Sequence, residues 1–166
     1  MAKRITTISA SVTRPANTTA YDANDALADS TSAPSAIATG KIRLSGAAWL
    51  VNARAVSTAY QSTLPQLRVF LLPYAPAMTN DGSAFTLTDA EMQAAFGYVD
   101  FLNWVAGDDT SGATGNAMSD ASAFNPKAII TLAAGRLVYL KPKVLNAYTP
   151  VSGEVFTFLF DLEPVE

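Results

Sequence analysis

The C-terminal stretch constrains the fold of this chain more than any other. Phe156, Phe158, Phe160 and Leu162 alternate with Val155, Thr157, Leu159 and Asp161. Period-two alternation places the three phenylalanines on one side of an extended backbone, whereas a helix would scatter them around its axis. Both sides are largely apolar, so the strand belongs inside a sheet, with the aromatic side on the core. A sheet with such a face needs a second layer to cover it.

The rest of the chain supplies short β elements bounded by Gly and Pro. From Ile5 to Thr13, Ile8, Ala10 and Val12 alternate with Thr7, Ser9, Ser11 and Thr13, a half-buried strand that Arg14-Pro15 stops. Further strands are expected from Ile37 through Lys41 to Ser45, over Trp49 to Val56 with both faces apolar, and over Gln66 to Leu72 up to Pro73. Others are expected over Tyr98 to Leu102, Ala128 to Leu132 and Leu137 to Leu140. About eight strands with one inserted helix suit an all-β, jelly-roll-like β-sandwich, and 166 residues fit a single domain over 1–166. No tandem period suggests a solenoid or propeller.

The helix is specified at about 88–96. Thr88-Asp89-Ala90-Glu91 is a capping box, Leu87 and Met92 form a hydrophobic staple, and Gly97 offers a left-handed stop. Its expected role is to cover one end of the sandwich. Asp22 to Pro34, rich in Ala, Ser, Thr and Asp, and Gly107 to Ala123, rich in Gly, Asp and Ser, have no periodicity and read as loops. With the N-terminal segment Met1 to Arg4, they are candidate contact arms.

The chain contains no histidine and no cysteine. That removes the side chain that titrates nearest neutrality and, with it, most transition-metal sites and activated nucleophiles. Carboxylates are what remain for catalysis. Asp108, Asp109 and Asp120 lie in a polar loop of ordinary composition, and Asn80-Asp81-Gly82 is followed by Thr88 where a calcium loop needs Glu. Thr39-Gly40-Lys41 lacks the upstream Gly and the following Ser or Thr of a phosphate loop. Asn17-Thr18-Thr19 fits a glycosylation sequon, but no apolar leader follows the N-terminal charges. No catalytic, cofactor-binding or metal-binding residue is assigned, and no cofactor is expected.

Hydrophobic residues make up 49% of the chain and charged residues only 15%, so part of the outer surface is expected to meet a partner. A net charge of −3 with no basic cluster argues against nucleic acid, and no apolar run spans a bilayer. Trp49, Trp104, Tyr60, Tyr74 and Tyr148 are candidates for a sugar-stacking platform, although aromatic side chains in a sandwich are more often core or interface anchors.

Two segments carry a resemblance. Val12-Thr13-Arg14-Pro15-Ala16-Asn17-Thr18-Thr19-Ala20-Tyr21 is similar to the opening strand and Arg-Pro turn of a family of small all-β virion proteins of tailed bacteriophages. Ala147-Tyr148-Thr149-Pro150-Val151-Ser152-Gly153-Glu154-Val155-Phe156-Thr157 resembles that family's closing turn and strand. Leu67 to Leu71, Ala84 to Ala90 and Leu132 to Gly135 match in order between them. Asp22-Ala23-Asn24-Asp25 departs from the family's usual Ala-Gly-Asp after the tyrosine. The resemblance implies a non-enzymatic capsid decoration or cement protein on the virion surface. Its expected partners are the major capsid protein and further copies of itself, as in a trimer, with neither nucleic acid nor membrane. The alternative is a tail- or fibre-associated adsorption module that binds host glycans.

Overall fold

The computed structural model describes residues 5–41, 46–59, 63–106, 117–121, 123–125, 129–132 and 135–165. These residues form a β-sandwich of two antiparallel sheets with one short helix. The strands are β1 (Thr6–Thr13), β2 (Ile37–Ala38), β3 (Gly46–Ser57), β4 (Leu67–Leu72), β5 (Gly97–Phe101) and β6 (Trp104–Ala106). They continue with β7 (Ala117–Asp120), β8 (Ala123–Asn125), β9 (Ile129–Leu132), β10 (Tyr139–Val144) and β11 (Val155–Pro164). Helix α1 (Asp89–Ala94) lies between β4 and β5. The first sheet runs β1-β11-β3-β7-β6 with β9 also on β3, and the second runs β2-β10-β4-β5-β8.

As its alternation predicts, β11 is an inner strand, paired with β1 on one side and β3 on the other. Phe156, Phe158, Phe160 and Leu162 are at most 1% exposed. They face Leu67, Val69 and Leu71 of β4, Val99 and Phe101 of β5, and Leu140 and Val144 of β10 across one core. The Phe101 and Phe158 rings meet 5.8 Å apart and join the two layers. Burying a side chain of this size contributes about 1.5–3 kcal/mol, so this row is the main driving force for closing the sandwich.

Strand β3 looks apolar on both faces because its phase changes midway. Asp161 pairs with Asn52 and Leu162 with Leu50, leaving Val51 as the extra residue of a bulge. Ala48 and Leu50 point inward before it, and Ala53 and Ala55 after it. Strand β10 runs four residues beyond the expected Leu140, through Lys141-Pro142-Lys143-Val144. The Pro142 carbonyl accepts from Leu27 N–H, so the missing proline donor points toward the irregular edge and away from β4.

Several expectations are corrected. Eleven strands, not eight, are present among the described residues, and Ala117–Asp120 of the expected 107–123 loop is strand β7; residues 107–116 lie outside the described residues, as do Met1 to Arg4 and the 42–45 part of the expected second strand. The segment from Asp22 to Pro34 is no free arm. Ala26, Leu27 and Ala28 are buried, and Asn24 and Leu27 N–H groups bond to Val144 and Pro142 carbonyls, continuing the edge of the second sheet. The capping box of α1 forms as expected. Met92, however, is 58% exposed, so the staple does not close. The backbone turns extended at Ala95, and Gly97, at φ 141°, opens β5 instead of capping the helix.

Candidate interaction surface

The second sheet has its outer face closed by the chain's own excursions. Phe85 stacks on Phe70 of β4 at 5.6 Å, with the Lys141 and Lys143 ammonium groups each 5.7 Å from its ring. Beside it, Lys141 Nζ donates to both Glu91 carboxylate oxygens at 3.1 and 2.9 Å. Both side chains are buried, so α1 is latched to β10 by a charge pair that each partner needs. Desolvation pushes the Glu91 carboxyl up, but the Thr88 N–H and the Lys141 ammonium outweigh it and hold the group below its ordinary range. On the same face Arg68 forms a two-pronged pair with Asp100 at 2.7 and 2.8 Å and lies 4.0 Å over the Tyr98 ring.

A second buried polar cluster ties the two ends of the chain together. Asp81 Oδ1 accepts from the Tyr21 hydroxyl at 2.5 Å and from Ala28 N–H at 2.9 Å, while Oδ2 accepts from Arg14 Nη2 at 3.0 Å. Arg14 Nε also donates to the Tyr21 hydroxyl. Tyr148 stacks on Tyr21 at 5.1 Å, and Arg14 N–H bonds to the Glu154 carbonyl. Burial pushes the phenol groups of both tyrosines well above their ordinary range, aided by Asp81 at Tyr21 and by Glu154 at Tyr148. Arg14 and Tyr21 come from the 12–21 segment and Tyr148 and Glu154 from the 147–157 segment, and the fold brings these two segments into contact. Asp81, from the rejected calcium-loop motif, is the carboxylate that holds them. This cluster does structural work.

The first sheet's outer face is different. Its register sets Ser11, Thr157, Val56, Met118 and Val105 side by side from β1 to β6, and Ser9, Leu159, Arg54 and Asp120 in the neighbouring row. On the β1 side the face is a polar ladder, with Thr7 bonded to Asp161 at 2.6 Å and Ser11 to Thr157 at 2.8 Å. On the β7 and β6 side it is apolar, with Val105 69% and Met118 46% exposed and Val56 half-buried. Arg54 Nε is buried in this face without a hydrogen-bond partner among the described residues, next to the exposed Asp120.

The aromatic residues considered for sugar stacking do not gather into one platform. Tyr148 is buried, Trp104 packs edge-on against Phe156 at 6.1 Å, and Tyr60 lies outside the described residues. Tyr74 and Tyr139 line an open pocket of about 290 Å³ together with Arg136. Asp108 and Asp109 lie outside the described residues, and Asp120 stands on the open face. Among the described residues no group of three or more acidic side chains is placed to hold a metal ion, and no helix is long and apolar enough to cross a membrane. No family model matches this chain, and no curated protein matches it.

Proposed function

We propose that the chain is a non-enzymatic virion structural protein that decorates and cements a phage head by binding the major capsid protein. The observation that carries this reading is the asymmetry of the sandwich. One outer face is sealed by Phe85, α1, the buried Lys141–Glu91 pair and the half-buried Arg68–Asp100 pair, while the other leaves Val56, Met118 and Val105 in a row beside Arg54 and Asp120. An apolar strip with a polar ladder on its flank suits docking onto a protein surface. The resemblance of the two chain ends to tailed-phage virion proteins supplies the partner. A protein that binds the assembled lattice and not free subunits stabilises the lattice by mass action, and repetition over symmetric sites multiplies a modest interface. The stoichiometry of the protein in purified virions tests this. Hundreds of copies, in simple ratio to the major capsid protein, are expected; a handful of copies confined to the tail contradicts it.

The pocket of Tyr74, Tyr139 and Arg136 favours a second reading, an adsorption module for host glycans. Aromatic rings take sugar C–H surfaces, and the guanidinium takes a carboxylate. Under that reading, glycan binding is lost in Tyr74→Ala and the copy number is low.

A further inference from the structure

We infer that the outer edge of β1 at Ser11 to Thr13 is a docking site for an extended polypeptide segment, which adds to the first sheet as one more strand. In β1 the odd-numbered residues face outward, as two observations fix. Arg14 N–H bonds inward to the Glu154 carbonyl of the β11 side, whereas the Ser9 carbonyl accepts outward from Gly40 N–H at 3.1 Å. Alternation therefore turns the N–H and C=O of Ser11 and Thr13 away from β11. Among the described residues these groups have no hydrogen-bond partner.

Natural edge strands are blunted against such pairing by Pro, by charge or by a bulge. The residues of β1, Thr-Thr-Ile-Ser-Ala-Ser-Val-Thr, include neither proline nor charge, and its pairing with β11 runs from Thr6 to Thr13 without a register shift. Among the described residues no loop covers the free rungs, and an open groove of about 430 Å³ borders them, with Ser11 and Thr13 on one wall and Asp29, Ser35, Ala36 and Ala38 on the other. On the far wall the side chains of Ser35, Ala36 and Ala38 are small and Ile37 is buried, so an incoming backbone can approach. Two free rungs on alternate residues match an extended peptide of about three residues and no other ligand class as well. Asp29 adds a preference. Its Oδ1 accepts from Ser35 N–H at 2.8 Å, and its Oδ2 has no partner among the described residues, so the groove favours a segment that carries Lys or Arg. The site stands whether or not the protein decorates a capsid; if it does, a neighbouring subunit is the natural donor of the strand.

The test is selection of random seven-residue peptides on the intact protein. The expected result is peptides rich in β-branched residues with a basic residue, whose binding slows hydrogen exchange of the Ser11 and Thr13 amides at least tenfold. Ser11→Pro removes the outward N–H together with the side-chain bond to Thr157 and is expected to weaken these peptides at least tenfold, while Ser11→Ala, which loses only the Thr157 bond, binds like the parent and Asp29→Asn loses the basic preference. The selected peptide N-methylated at alternate amides provides a control that leaves the protein unchanged, and it too is expected to lose binding. Recovery of no peptide, or peptides that bind equally after N-methylation and leave the Ser11 and Thr13 amides unprotected, would overturn the inference.

Discussion

The two outer faces of this sandwich share one core but are finished in opposite ways. The second sheet spends two long excursions, roughly residues 14–36 and 73–96, on covering its own surface and edge, and locks them with Arg14–Asp81 and Lys141–Glu91. Among the described residues, none gives the first sheet such cover over β3, β7 and β6. Buried ion pairs are poor net stabilisers, because desolvating both charges offsets most of their attraction. Their use here is geometric, since a buried charge that must keep its partners fixes where a loop lies. The contrast teaches that exposure of Val105 and Met118 is not a general looseness of the fold. Among the described residues, one face is covered by the chain itself and the other carries its apolar row uncovered.

The largest effects should come from breaking what both faces share and what only one has. Phe158→Ala removes a fully buried ring from the joint between the layers and should cost about 3–5 kcal/mol. Asp81→Ala leaves the buried Arg14 guanidinium, the Tyr21 hydroxyl and Ala28 N–H without their acceptor, and should cost a similar amount, about 3–5 kcal/mol. Denaturant melts of the two variants check this, and near-parent stability of Asp81→Ala would mean that the cover is not held by its charges.

A smaller effect, with a pH signature, belongs to the latch on α1. Glu91→Gln keeps the capping geometry but leaves Lys141 without a counter-charge, a loss of about 1–3 kcal/mol at neutral pH. The Glu91 pKa is lowered in the folded state, so the carboxylate stabilises the fold above its ordinary value of 4.5, and that contribution disappears as pH falls through the folded value. The stability gap between parent and variant should therefore be full near pH 7 and close in acid. A gap that stays constant across this range would show that the pair does not act through charge.

How much of this was legible in the sequence follows from what each element depends on. Strand β11 and its core face could be read because Phe156, Phe158 and Phe160 encode both the period and the burial locally. The capping box at Thr88 and Glu91 was equally local. Strand β7 was hidden in a polar run, since Ala117-Met118-Ser119-Asp120 acquires meaning only beside Val56 and Val105. The bulge at Val51 erased the alternation of β3, and Lys141-Pro142-Lys143 disguised the second half of β10, whose buried lysine is explained by Glu91, fifty residues earlier in the chain. Burial of Ala26 to Ala28 within the 22–34 segment is helped by Asp81, a long-range acceptor for Ala28 N–H that no local pattern announces. The open face was anticipated only as an excess of apolar over charged residues, because the row Val56, Met118, Val105 comes from three separate strands.

The smallest expected change in stability goes with the most direct test. Met118→Lys and Val105→Lys alter exposed side chains away from the core, so each should shift stability by no more than about 0.5 kcal/mol. The decisive measurement is the occupancy of these variants and the parent on phage heads that lack the protein, compared at equal concentration. The account predicts full decoration by the parent, loss of most occupancy in both variants, and unchanged melting of the free proteins. Variants that decorate as completely as the parent would contradict it and remove the open face of the first sheet as the docking surface.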